Sequence, residues 1–335
     1  MPTKERLRTL AVVGCKLAFS AVLLWIVLRH ADLRGVLGRL EEADWHWAVL
    51  GMACGPLALL LSALRWQVLS QGLLTRGAAV RYAWIGLFYG SVLPGAVSGD
   101  IAKGIALAAK RPSARDRRLA VSILFDRALG LWTLLFLFLG AAAVLWVVHP
   151  EVAARLHRLI ALTCIVLPAS LTFGASLLHP AGIRFGRRAA SALPGWRLRE
   201  EAERALDCVE AYAAEPGIIA AAVALSLAAH AVNILGYWLG LRALAVPAGG
   251  LFPALLYPLL CLLLAAPVSI SGIGVRDVFF FGLFRVFGFT PAAGVAFSWL
   301  VFAWSIPVIA AGGLLQIWET LRAPVERRVA EAGNI

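Results

Sequence analysis

Two stretches set inside long apolar runs, Pro94-Gly95-Ala96-Val97-Ser98-Gly99 and Pro267-Val268-Ser269-Ile270-Ser271-Gly272, carry one Pro-x-x-x-Ser-Gly pattern. A cation follows each Gly four residues on, Lys103 in the first and Arg276 in the second, and every matched pair stands 173 residues apart. Hydrocarbon cannot satisfy free backbone groups, so a chain crosses a bilayer as a helix or a closed barrel. Proline removes a backbone donor and glycine loosens the helix. Such a break survives at membrane depth only where protein or a water-filled cavity surrounds it. Two breaks at corresponding positions of two halves point to a transporter binding site.

Composition puts the chain in a bilayer. It is 61% hydrophobic and 15% charged over 335 residues, with a mean hydropathy of +0.83. The net charge of +12 raises the possibility of nucleic acid. The basic residues lie between apolar spans without interleaved aromatics, so an anionic bilayer surface is the expected partner and nucleic acid is not. Cys15, Cys54, Cys164, Cys208 and Cys261 lack Cys-x-x-Cys spacing and read as small core residues. Lys4, Arg6 and Arg8 precede an apolar run to Leu28 with no Ala-x-Ala site, which reads as an uncleaved anchor.

Spans are expected over 10–28, 47–64, 119–148, 159–178, 217–240 and 291–318, each near the roughly 20 residues that a crossing needs. Between them lie the broken regions 82–110 and 251–287. Arms of about 11 to 16 residues cover roughly 17–24 Å, short of a core near 30 Å. Re-entrant hairpins fit these lengths, with full crossings the alternative. With a cytoplasmic N-terminus and no crossing per hairpin, about 19 Lys/Arg fall inside and about 7 outside, as the positive-inside rule expects. Three crossings then separate the hairpins, so they open to opposite sides. This is an inverted-topology repeat, 47–148 with hairpin 82–110 and 217–318 with hairpin 251–287. The polar stretch 180–216 links the halves on the cytoplasmic side. Within it, Trp196 to Tyr212 reads either as an amphipathic helix on the membrane interface or as a solvated connector.

Charges at membrane depth are costly and mark function by default. Three clusters carry both signs: Asp100 with Lys103, the Asp126-Arg127 pair, and Arg276-Asp277. The cations near Ser98-Gly99 and Ser271-Gly272 would add to the positive ends of broken helices, a setting that suits a phosphate. The alternative is that the charges only pair with one another. Arg65 and Arg242 follow spans and read chiefly as snorkelling residues, Arg65 also as a cavity-lining candidate. His230, Asn233 and Tyr237 share a helical face, lining either a cavity or an interhelical hydrogen-bond seam. His-Glu-x-x-His, Gly-x-Ser-x-Gly and P-loop patterns are absent from the sequence. No catalytic residue, metal ligand or cofactor is therefore expected.

The motifs resemble those of one family. Leu93-Pro94-Gly95-Ala96-Val97-Ser98-Gly99-Asp100-Ile101-Ala102-Lys103 is similar to the Leu-Pro-Gly-x-x-Gly-Gly-Asp-x-x-Arg signature of the lysylphosphatidylglycerol synthase transmembrane-region family. Asp126-Arg127-Ala128-Leu129-Gly130-Leu131 resembles its Asp-Arg-x-x-Gly-Leu signature. The stretch from Pro267 to Asp277 resembles its Pro-x-Ser-x-x-Gly-x-Gly-x-Arg-Glu signature. The chain departs at Ser98 for Gly, Lys103 for Arg and Asp277 for Glu. Lys103 loses the bidentate fork that Arg would offer a phosphate. The resemblance implies a flippase-type lipid translocase, with stand-alone relatives tied to hopanoid, polyprenyl-phosphate-linked and other envelope lipids. No soluble aminoacyl-transfer domain follows residue 318, so aminoacyl-lipid synthesis is not expected.

The reading is an all-α integral membrane protein of about six transmembrane spans plus two re-entrant hairpins. It is expected in the bacterial inner membrane with both termini cytoplasmic, moving an anionic or phosphate-bearing lipid. Substrate contacts are expected at Pro94, Ser98, Gly99, Asp100, Lys103, Asp126, Arg127, Ser271, Gly272, Arg276 and Asp277. The alternatives are a small-solute or ion-coupled transporter and an intramembrane lipid-modifying enzyme built around Asp126.

Overall fold

The computed structural model describes residues 20–27, 29, 32–92, 99–100, 115–265 and 272–332, and within them every regular element is an α-helix. They are α1 (Leu33–Glu41), α2 (Trp45–Leu69), α3 (Arg76–Val92), α4 (Arg115–Val148), α5 (Pro150–Arg155), α6 (His157–Leu178), α7 (Pro180–Ser191), α8 (Trp196–Ala214), α9 (Pro216–Ala243), α10 (Leu251–Ala265), α11 (Val275–Val286) and α12 (Pro291–Ala332). Residues 20–27 are also helical. Five helices, Trp45–Leu69, Arg118–Val148, His157–Leu178, Pro216–Ala243 and Pro291–Leu321, are long and apolar enough to cross a membrane. They fall on five of the six expected spans. Most of 10–28 lies outside the described residues. Large apolar side chains such as Val147, Leu124, Ile165 and Leu314 face outward, where hydrocarbon and not water must meet them. The chain is an all-α integral membrane protein.

The central seam is the antiparallel pair α2 and α9. Asp44 N–H donates to Ala243 O at 2.9 Å at one end, and Leu69 shares an apolar cluster with Ala222 at the other. Lipid tails compete with any apolar contact, so helices in a bilayer associate where small residues let backbones approach. A Cβ on Gly51 would lie 2.5 Å from Trp304 and 3.1 Å from Gly236 O, and one on Gly236 would lie 2.9 Å from Cys54 Cβ. Both helices end alike, with Gln71 (φ 49°) and Ala245 (φ 52°) in the left-handed region just past the last turn.

Short helices pack on the distant span. α3 lies on α12, where a Cβ on Gly312 would come within 2.3 Å of Trp84 O and Arg81 pairs with Glu319. In the other half α10 lies on α4, with Leu255 and Leu256 clustered with Phe138, Ala142 and Leu145. At 15 and 12 residues, α10 and α11 are about 22 and 18 Å long, short of a bilayer core. Their far ends meet, with Phe252 ringed by Phe287 at 4.8 Å and Phe289 at 5.0 Å. The start of α10 and the end of α11 therefore lie side by side. α3 begins at Arg76, ahead of the expected 82, because Thr75 Oγ1 accepts from Ala78 N–H at 3.3 Å and caps the helix. The arm after the first break lies outside the described residues apart from Gly99 and Asp100.

The connections sort to two ends. Segments expected outside meet at one: Arg39 donates to Leu244 O at 3.4 Å, and Val36, Ala153, Leu156, Val246 and Phe252 share a core. Segments expected inside meet at the other, where Tyr212 OH donates to Leu69 O and Leu119 packs with Trp66 and Leu74. Burial pushes the Tyr212 phenol above its usual range. The stretch 180–216 is a helical hairpin, in which α8 covers the helix expected over Trp196 to Tyr212 and α7 precedes it. It turns at Gly195 (φ 89°) and is tied by Arg187 to Asp207 at 2.8 Å and Glu210 at 2.6 Å. Cys54 and Cys208 are buried, whereas Cys164 is exposed on a span, so it is no core residue.

Candidate functional site

A polar network runs through the middle of the seam. Arg65 is 7% exposed, and its Nε donates to Asp126 Oδ1 at 2.7 Å and its NH1 to Ser226 Oγ at 2.8 Å. Arg65 is thus held inward by α4 and α9, and the snorkelling reading is corrected. Ser226 Oγ also meets Thr133 Oγ1 at 2.6 Å. His230 bridges Gly130 O at 3.2 Å and Tyr257 OH at 3.0 Å. Asn233 Nδ2 donates to Tyr257 OH at 3.2 Å, and Tyr237 packs edge-on against Tyr257. Serial hydrogen bonds thus join α2, α4, α9 and α10 with their polar groups satisfied, as a lipid-embedded core requires.

Asp126 and Arg127 pair with other segments and not with each other. Adjacent residues on a helix point about 100° apart. Asp126 accordingly turns to Arg65, while Arg127 forks onto Asp100 with contacts of 2.6 and 2.9 Å. Asp100 is 6% exposed. Gly99 lets this arm touch α3, since a Cβ there would lie 2.3 Å from Gly86 O. Pro94, Ser98, Lys103 and Ser271 lie outside the described residues.

At the second break Gly272 (φ 75°) and Gly274 (φ 79°) both sit where L side chains are strained. Gly274 is also pressed against the first helix, with a would-be Cβ 2.7 Å from Ser20 O. Asp277 Oδ2 accepts from Gly274 N–H at 3.0 Å, so the N-terminus of α11 is capped by its own carboxylate. Arg276 does not pair with its neighbour. Its Nε donates to Ser298 Oγ at 3.1 Å, Ser298 in turn donates to Asp277 at 2.5 Å, and the guanidinium lies 5.0 Å over the Phe302 ring. Among the described residues no carboxylate comes within ion-pair distance of Arg276.

Beside the network a cavity of about 350 Å³ opens between α2, α3, α9, α10 and α12. Asn233, Tyr237, Tyr257, Ser62, Ser91 and Ser305 give its walls polar groups, and Gly51, Gly55 and Gly236 make the room. Of the four cavity-lining candidates, Asn233 and Tyr237 line it, while Arg65 and His230 sit behind that wall. On the same three helices α2, α3 and α12, an apolar groove of about 810 Å³ faces outward, lined by Leu57, Leu60, Val80, Trp84, Leu314 and Trp318. Gly55 and Leu59 face the cavity while their neighbours Pro56 and Leu60 face the groove. Ser226, Thr133, Tyr257 and Ser298 were missed by the sequence reading, because a lone hydroxyl in an apolar run carries no periodic signal.

No curated protein and no solved structure matches the chain. The geometry just described, from the α2 seam to the cavity-lining turns of α12, falls within residues 13–313, which match the model of the lysylphosphatidylglycerol synthase TM region, and the chain belongs to that family.

Proposed function

We propose that this protein is a lipid translocase that moves an anionic or phosphate-bearing lipid across the bacterial inner membrane, without catalysing a reaction on it. The observation that carries the reading is the pairing of a largely apolar cavity that holds a few convergent polar groups with an apolar groove on the same helices. A lipid needs a wet site for its head group and a sideways opening for its tails. A solute carrier would instead enclose its cavity. Asn233, Tyr237 and Tyr257 offer amide and hydroxyl groups to the head group. Arg276 supplies the positive charge from behind Phe302, over whose ring its guanidinium lies and whose neighbours Val301, Trp304 and Ser305 line the cavity. Lys103 is its counterpart in the first half.

The two halves form an inverted repeat, and rocking of one against the other exposes the cavity to each leaflet in turn. The exchange of arms supports this, α3 lying on α12 and α10 on α4, as do the matching left-handed ends of α2 and α9. The end with the α7–α8 hairpin faces the cytoplasm, as its arginines require.

Photo-crosslinking tests the site. A benzophenone side chain placed at Ser91 or Ser305, both on the cavity wall, should yield phospholipid adducts in native membranes. Absence of lipid adducts at both positions in a folded protein would favour a solute carrier.

A further inference from the structure

A second cavity, of about 500 Å³, lies at the opposite end of the fold from the α7–α8 hairpin. Four segments build it: the α4–α5 junction with His149, Glu151 and Arg155; the loop at Pro247 and Gly249; the start of α10; and the end of α11 from Arg285 to Phe289. Phe252, Phe287 and Phe289 form an interlocked aromatic floor, with rings 4.8 to 5.0 Å apart around Phe252. That floor fixes the helix ends, so the polar groups at the rim stand on a rigid base.

The rim charge is lopsided. Among the described residues Glu151 is the one acid that lines the cavity, and it faces His149 at 3.5 Å. Among the described residues neither Arg155 nor Arg285 has a carboxylate within ion-pair distance. Each stands in the last turn of its helix, where a cation suits the carbonyl end. Both arginines are exposed and line the cavity. Two guanidinium forks over one cavity match the three oxygens of a phosphate.

We infer that this cavity is a phosphate-binding site, distinct from the central cavity and independent of whether the protein moves lipid. Its ligand presents a phosphate group above the aromatic floor, either as a membrane lipid head group or as a soluble phosphate.

Binding to the full-length protein separates the outcomes. Inorganic phosphate is titrated calorimetrically against the protein in phosphatidylcholine nanodiscs, and phosphatidylglycerol is counted by native mass spectrometry of protein from mixed nanodiscs. Arg155→Gln with Arg285→Gln should weaken binding of the preferred ligand at least about tenfold. Glu151→Gln should strengthen it, since a like charge leaves the rim. Both arginines are exposed, so an unchanged thermal midpoint is expected and checks the fold. Retention of phosphatidylglycerol with weak inorganic phosphate supports a lipid source, and the reverse supports a soluble one. If neither ligand binds, or if the double variant binds as well as the parent, the inference is overturned.

Discussion

The pair Arg65–Asp126 is the structural centre of the bundle, and removing one partner differs sharply from removing both. At 2.7 Å and an effective dielectric near 20, the attraction is about 6 kcal/mol before desolvation is subtracted. Desolvation of two buried charges offsets most of that. Asp126→Asn leaves a guanidinium that is 7% exposed, still donating to Ser226 Oγ at 2.8 Å. The expected cost is about 3–5 kcal/mol. Arg65→Met with Asp126→Leu removes both charges at similar volume. Ser226 is then not orphaned, because Thr133 stays at 2.6 Å. The double variant should recover most of the lost stability. Thermal unfolding in detergent, followed by dye labelling of exposed cysteines, measures all three variants. A double variant as unstable as Asp126→Asn, or an Asp126→Asn protein as stable as the parent, would refute the pairing argument.

Gly274→Ala puts a side chain at φ 79° and 2.7 Å from Ser20 O. With ψ at −54° this is a strained γ-turn conformation for an L residue, costing about 1–3 kcal/mol, so the unfolding midpoint should drop, whereas Gly249→Ala, with nothing within 4 Å, should leave it unchanged. On the α7–α8 hairpin, Arg187 is already engaged by Asp207 and Glu210, so Arg188 and Arg199 carry the attraction to anionic lipid, about 1 kcal/mol each. A fluorophore at position 196, where Trp196 is 71% exposed, should be quenched more by brominated phosphatidylglycerol than by brominated phosphatidylcholine. Arg188→Gln with Arg199→Gln should erase that preference, and a preference left intact would make the hairpin a plain connector.

The sequence carried the long-range plan well because lipid imposes it. A span must be apolar for its whole length, so five spans could be read within a few residues. The arms around the second break were legible from length alone. The face of His230, Asn233 and Tyr237 followed from helical spacing. Charge pairing was not legible. Asp126 and Arg127 are neighbours in sequence but point to different helices, and their partners Arg65 and Asp100 lie 61 and 27 residues away. Nor could sequence reveal that Asp277 caps α11 and that Ser298 bridges it to Arg276. That arrangement depends on where α12 crosses the break, which no local pattern encodes.

Lipid movement itself is the measurement that matters most. The purified protein is reconstituted into proteoliposomes with fluorescent phosphatidylglycerol or phosphatidylcholine, and the dithionite-accessible fraction is followed with time. The account predicts faster exchange of the anionic lipid than in protein-free vesicles, and about a tenfold slowing with Ser91→Trp, which fills the cavity beside Asn233 and Tyr257. Exchange no faster than in empty vesicles, with the protein shown to be folded, or exchange unaffected by the filled cavity, would contradict it.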